Sequence, residues 1–304
     1  MRIFVTGAEG QVARSLREAA ASNPSILLAC GARPDIDLTR PDTVADAIEA
    51  FRPDLVVNPA AYTAVDKAES EPALAMAINR DGAAAVATAA ARAGAPIIHL
   101  STDYVFDGTK DGPYLEDDPV CPSSVYGQSK LAGEIAIAAA NSRHLILRTA
   151  WVYAPFGANF VRTMLRLAAE RDGLAVVDDQ IGCPTYAPDL AAAILAIAGA
   201  VDQRGWSSDY AGVTNCAGPD AMTWRGFAQA IVAGAADRGR RDIPVTAITT
   251  ADYPTPARRP ANSRLDTTRL ADVFGVRLPR FEASLDRCLD LLVGVGGHKE
   301  RAVP

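Results

Sequence analysis

Up to residue 150 the chain alternates short, unbroken apolar runs with longer stretches of helical pattern, and this alternation restricts the fold more than any other feature. Residues 3–5, 26–30, 55–57, 97–100 and 144–147 read as strands, and residues 10–22, 42–51, 72–93 and 125–141 read as helices between them. A strand with apolar side chains at consecutive positions has no face to give to water. Such strands belong to a parallel sheet covered on both sides by helices. The Ala-rich helical segments can pack closely on it.

After residue 150 Pro and Gly become frequent, as in Pro155-Phe156-Gly157, Gly182-Cys183-Pro184 and Gly218-Pro219. Residues 252–264 are rich in Pro and Arg. The expected division is a dinucleotide-binding part over 1–150 and a smaller, mostly substrate-binding part over 151–304, with some later elements returning to the sheet. The tail after Gly294 is expected to fray.

With 49% hydrophobic and 22% charged residues, the chain can bury a substantial core. The net charge of −6 argues against a nucleic-acid-binding face. The first apolar run is too short for a secretory signal, and none is long enough to span a membrane. Cys30, Cys121, Cys183, Cys216 and Cys288 are scattered, without CxxC spacing, and read as reduced thiols. The cytoplasm is the expected compartment. His99, His144 and His298 are read as core or surface residues rather than catalytic ones, and Trp206 and Trp224 as packing residues.

The segment Thr6-Gly7-Ala8-Glu9-Gly10-Gln11-Val12-Ala13 joins the first strand to the first helix. Gly7 permits a tight turn, Gly10 allows a pyrophosphate to approach the backbone, and Ala13 permits close helix–strand packing. The following helix offers unpaired N–H groups and the positive end of its dipole. This is a Rossmann-type, doubly wound arrangement. An acidic residue directly after the second strand would favour NAD(H). Here Cys30-Gly31-Ala32-Arg33 follows, with Asp37 further on, and Arg33 suits a 2′-phosphate. NADP(H) is therefore favoured over NAD(H). Asn58-Pro59-Ala60-Ala61-Tyr62 ends the third strand with small residues, fit for a backbone that passes close to a cofactor.

The fourth strand ends in Ser101-Thr102-Asp103, where sheets of this kind bind ligands. Tyr126 and Lys130 are four apart on one helical face. A free phenol titrates near ~10, and a nearby ammonium would bring it closer to neutral, where carbonyl reduction needs a proton donor. Lys130 could also hold the nicotinamide ribose.

Taken together, the glycine loop, Thr102, Tyr126 and Lys130 resemble the extended short-chain dehydrogenase/reductases. The stretches 58–72, 101–108, 148–153 and 253–263 narrow the resemblance to the family of dTDP-4-dehydrorhamnose reductases, over nearly the whole chain. The resemblance implies that NAD(P)H reduces the C4 keto group of dTDP-4-dehydro-β-L-rhamnose. It makes Thr102, Tyr126 and Lys130 the catalytic set. Gly10, Gln11 and Val12, with Asp37, Leu38, Ala60, Ala61 and Tyr62, would line the cofactor. Thr102, Asp103, Trp151, Arg258, Arg259, Asn262 and Ser263 would face the dTDP-sugar. Tyr62 stands where the family often has His. Some members dimerise around Mg²⁺ held by three glutamates. The matching positions here are Ser15, Asp189 and Glu282, which makes that metal and that dimer doubtful. The rival readings are an epimerase or dehydratase of the same superfamily and a non-catalytic NADP-binding regulatory subunit.

Overall fold

The computed structural model describes residues 1–294. Its elements in chain order are β1 (Arg2–Thr6), α1 (Gln11–Ala21), β2 (Leu27–Gly31), α2 (Pro41–Phe51), β3 (Leu55–Asn58), α3 (Val65–Ala68), α4 (Pro72–Met76), α5 (Ala83–Arg92), β4 (Ile97–Thr102), α6 (Val125–Ala140) and β5 (His144–Thr149). There follow β6 (Val152–Tyr153), α7 (Phe160–Glu170), β7 (Leu174–Val177), β8 (Ile181–Gly182), β9 (Thr185–Tyr186), α8 (Ala187–Arg204), β10 (Gly212–Asn215), β11 (Met222–Thr223), α9 (Trp224–Ala236), β12 (Val245–Ile248), β13 (Asn262–Ser263), α10 (Thr268–Phe274) and α11 (Phe281–Val293).

Six strands form one parallel sheet in the order β10-β5-β4-β3-β1-β2. Alternate residues of each strand serve opposite faces. Ile3, Val5, Leu55 and Val57 meet Leu16 of α1 and Leu190 and Ile194 of α8. Phe4 and Val56 meet Val44 and Ile48 of α2, Val86 of α5 and Ile137 of α6. Each fully buried Val, Leu or Ile contributes roughly 1.5–3 kcal/mol. The continuous apolar runs therefore do supply two cores, one on each side. The sheet order reverses between β1 and β3, so their carboxyl ends open a crevice there.

A third core lies in the later half. Phe227 and Ile231 of α9, Val161 and Met164 of α7, and Phe281, Leu285 and Leu289 of α11 pack on Leu174, Val176 and Val245 of the β7–β12 pair. The chain crosses between the two bodies repeatedly, and α8, β10 and α10 belong to the large sheet.

The stretch expected as a single helix over 72–93 is broken. A π-helical turn, Ala77–Gly82, separates α4 from α5. A π-turn holds an extra residue and turns a side chain out of helical register; here it directs buried Asn79 toward the loop after β3.

Candidate active site

The glycine loop is built as its sequence suggests. Gly7 adopts φ +70°, and its N–H donates to the Gly31 carbonyl at 2.7 Å. A Cβ at Gly7 would lie 2.9 Å from that of Ala60, so the loops after β1 and β3 touch across the crevice. Gly10 caps α1 without a side-chain hydrogen bond, and the first turn carries no acidic residue, which leaves its N–H groups and dipole to an anion. Gln11 and Val12 open that helix, Gln11 accepting from Asn159 at 2.9 Å. This cradle fits a dinucleotide diphosphate. At the end of β2, Arg33 is exposed, while Asp37 turns its carboxylate to Thr39, which holds its pKa low. Leu38 lies against Gly82 of the π-turn, where a Cβ would meet it at 2.6 Å.

Ala60, Ala61 and Tyr62 form the opposite wall. Asn79 accepts from the Tyr62 N–H at 2.7 Å, donates to the Tyr62 carbonyl at 3.1 Å, and donates to Ser129 of α6 at 2.9 Å. The Tyr62 hydroxyl donates to Glu71 at 2.7 Å. The backbone of residue 62 is thus fixed by Asn79, independently of its own side chain.

Thr102, Tyr126 and Lys130 come together because α6 packs unusually close to its neighbours. A Cβ at Gly127 would lie 2.2 Å from the Tyr104 carbonyl oxygen, and one at Gly133 would lie 2.1 Å from that of Asn79. Ser124 caps the helix by accepting from the Gly127 N–H. A buried bidentate pair, Arg148 of β5 with Glu134, fixes its middle. Burial raises the Tyr126 phenol above its ordinary value; the nearby Thr102 hydroxyl offsets part of this, and Asp103 and Tyr104 add to it. The lowering expected from Lys130 does not act here, because its ammonium is turned to the Leu100 carbonyl, at 2.6 Å, and to His99. Tyr126 therefore keeps its phenolic proton. Burial in turn lowers Lys130 to about 8, against the pull of Glu134.

Asp103 lies beside them, 3% exposed. Its Oδ1 accepts from Thr102 at 3.0 Å, and its Oδ2 has no hydrogen-bond partner among the described residues. Burial raises it to about 6, against the pull of the nearby Ser263 and Thr102 hydroxyls. A buried, half-satisfied carboxyl at a strand's carboxyl end suits a ligand hydroxyl.

The other predicted substrate residues divide into two kinds. Trp151 has a left-handed backbone, φ +48°, and its indole stacks on Trp224 with centroids 3.5 Å apart. Trp224 is thus a packing residue whose partner is Trp151. Arg259 donates to Asp66 at 2.6 Å and to the Tyr104 hydroxyl at 3.0 Å. It ties the 253–260 segment to α3 and to the turn after β4. Arg258 is exposed and lines a cavity of about 520 Å³ with Asp107, Gly108 and Thr109. The side-chain amide of Asn262 donates to the Lys110 and Gly112 carbonyls and accepts from Arg264, so it pins the 108–112 loop.

Of the positions compared with a metal site, Ser15 donates to the Gln11 carbonyl, and Asp189 accepts from Ser284 and Arg287. Glu282 is exposed, 4.0 Å from Arg280. His144 bonds the Asn141 carbonyl, and Trp206 packs edge-on against Tyr210. His298 lies outside the described residues. Sequence reasoning missed Asn58, Asn79, Ser129 and the contact of His99 with Lys130. The one signal for them was polar residues inside apolar or Ala-rich runs.

The family described as RmlD substrate binding domain matches residues 1–293. A dTDP-4-dehydrorhamnose reductase of Sinorhizobium fredii is 50% identical over 287 residues, covering 94% of this chain and 96% of that protein. The one of Escherichia coli K12 is 43% identical, with 96% and 98% covered. Among solved structures, the dTDP-4-dehydrorhamnose reductase of Clostridium acetobutylicum superposes with a TM-score of 0.88 at 38% identity, covering 96% of this chain and 99% of that one. That of Bacillus anthracis, in complex with NADP, superposes with a TM-score of 0.87 at 34% identity, covering 95% and 98%. From these matches along nearly its whole length, the chain belongs to the dTDP-4-dehydrorhamnose reductase family.

Proposed function

We propose that the protein reduces the C4 keto group of dTDP-4-dehydro-β-L-rhamnose with NADPH, giving dTDP-L-rhamnose. The observation that carries this reading is a buried, neutral Tyr126 beside Thr102 at the carboxyl end of β4, next to a crevice shaped for a dinucleotide. When bound, NADPH supplies the hydride. Tyr126 donates its proton to the C4 oxygen as negative charge develops there. Its raised pKa keeps that proton in place until then. Thr102 and Asp103 hold the sugar oxygens, and Trp151 forms a flat wall of the sugar site. Lys130 uses the donor left over from Leu100 and His99 for the nicotinamide ribose. Arg258 meets the diphosphate, and Arg259 holds the segment that carries it. Exposed Arg33, with no acid directly after β2, favours the 2′-phosphate of NADPH. Residues 1–150 supply most of the cofactor groove and residues 151–304 most of the sugar side.

A complete proton-donor set counts against a purely regulatory binding subunit. An epimerase or dehydratase would return its cofactor unchanged after each cycle. The deciding experiment follows NADPH and NADH oxidation at 340 nm while a dehydratase and an epimerase supply the keto-sugar from dTDP-glucose. Stoichiometric oxidation with dTDP-rhamnose as product is expected, faster with NADPH. Tyr126→Phe should lower kcat by about 10²–10⁴ with NADP⁺ affinity preserved. Undiminished turnover in that variant would overturn the assignment.

A further inference from the structure

Lys130 does not stand alone. Its Nζ is 3.1 Å from Nε2 of His99, whose Nδ1 is 3.0 Å from Nδ2 of Asn58. The Asn58 Oδ1 in turn accepts from the Thr6 hydroxyl at 2.5 Å. The four side chains come from α6 and from the adjacent strands β4, β3 and β1, and each is no more than 2% exposed. The chain of contacts therefore runs beneath the crevice, from the lysine to the strand that carries the glycine loop. Burial and the neighbouring Lys130 push the His99 imidazole well below its ordinary pKa, so the ring is neutral.

A neutral imidazole has one donor nitrogen and one acceptor nitrogen. With the Asn58 amide as it stands, Nδ2 donates to His99 Nδ1, which makes Nε2 the protonated nitrogen. Nε2–H then needs an acceptor, and Lys130 is one only as an amine. If Lys130 is an ammonium, Nε2 must accept and Nδ1 must carry the hydrogen. The Asn58 amide then turns over, its Oδ1 accepting from His99 and its Nδ2 donating to Thr6. The two states differ by one proton, which the pair exchanges with solvent; Asn58 carries none. The other titratable or charged groups near Lys130 are Tyr126 and Glu134 on its own helix, Asp103 at the end of β4, and Arg148 of β5, which is paired with Glu134.

We propose that His99, held by Asn58 and Thr6, is a positioning residue for Lys130, and that its two nitrogens exchange hydrogen-bond roles when Lys130 changes charge. This rests on the reading of Lys130 as part of the reductase site. The arrangement keeps Nζ of Lys130 aimed along one direction in both charge states, with its remaining donor directed to the cofactor groove. An apolar residue at 99 would leave Lys130 with the Leu100 carbonyl alone.

The test is independent of turnover. The chain has three histidines, so ¹⁵N-histidine labelling gives an assignable spectrum. Between about pH 6 and about pH 10, the range over which histidine and lysine ordinarily titrate, His99 should stay neutral. Its protonated nitrogen should change from Nδ1 to Nε2 with a single midpoint, and Lys130→Met should abolish that change. A second measurement compares His99→Leu with His99→Gln. The leucine variant should raise KM for NADPH by about tenfold or more, as expected for one lost hydrogen bond to a charged group, and should displace the alkaline limb of the kcat profile. Glutamine should restore most of both. A single tautomer across the whole range, or a tautomer change that survives Lys130→Met, overturns the proposal even if Tyr126→Phe confirms the reductase chemistry.

Discussion

Gly127 lies so close to Tyr104 that a methyl group on its α-carbon would sit 2.2 Å from the Tyr104 carbonyl oxygen. That contact sets the distance of α6 from the end of β4, and hence of Tyr126 from Thr102. Gly127→Ala should push the helix outward, at a cost of about 1–3 kcal/mol in stability. Activity should fall far more than the melting temperature indicates, since small misplacements of a proton donor are costly. Measuring kcat and Tm on one preparation checks this, and near-normal kcat would show that α6 is not held at that point.

Asp103 should leave a signature in stability against pH. Burial raises its folded pKa to about 6, above the ~3.9 of an exposed aspartate. As pH rises, the unfolded chain loses this proton first, so the folded form holds more protons between about pH 4 and about pH 6. Stability is therefore lost over that window and is constant above it. Asp103→Asn removes the titration. The Tm of the variant minus that of the parent should rise by a few degrees from about pH 4 to about pH 6 and then level off. A flat difference would mean an ordinary carboxyl.

Trp151 fills the space that any side chain at residue 182 would need: a Cβ there would fall 2.4 Å from the indole. Gly182→Ala must therefore shift Trp151 from its stack on Trp224. With the indole as a wall of the sugar site, KM for the nucleotide-sugar should rise by about tenfold or more, and NADP⁺ affinity should stay unchanged. Equal losses for both ligands would point to general unfolding instead.

The two neighbouring arginines should separate by experiment. Arg259→Lys keeps the charge but lacks the fork that reaches Asp66 and Tyr104 together. Hydrogen exchange over residues 253–260 should accelerate in that variant. In Arg258→Ala it should remain as in the parent while KM for the nucleotide-sugar rises. Accelerated exchange in both variants would mean that Arg258 also anchors the segment.

The parts of the fold legible in the sequence were those whose physics is local. Residues 3–5, 55–57 and 97–100 are buried on both faces, so their apolar runs identify them as central parallel strands. β10, Gly212–Asn215, is a half-buried edge with Thr and Asn in it and carries no such run. The break at residues 77–82 was hidden because Ala-rich sequence favours helix on either side of it. The Tyr126–Lys130 pair was readable from its spacing only together with the glycine loop and the Ser101-Thr102 strand end. Its link to His99 was not, since it depends on α6 crossing β4 at one register. His99 is a core histidine, as its place in a strand suggests, and it also bonds a lysine. Asn262 read as a ligand because of the motif around it; that its amide pins the 108–112 loop depends on backbone that only the folded loop brings near.

The extra residue in the turn Ala77–Gly82 has a consequence for comparing relatives. One side chain in that turn, Asn79, holds both the wall of the cofactor groove and the helix that carries Tyr126. Removing one residue there would restore a regular helix of nearly the same length, with the flanking turns in place and no side chain turned out of register at this point. A single-residue gap at this point of an alignment therefore marks a relative whose two halves of the active site are joined by other means, whatever its overall similarity.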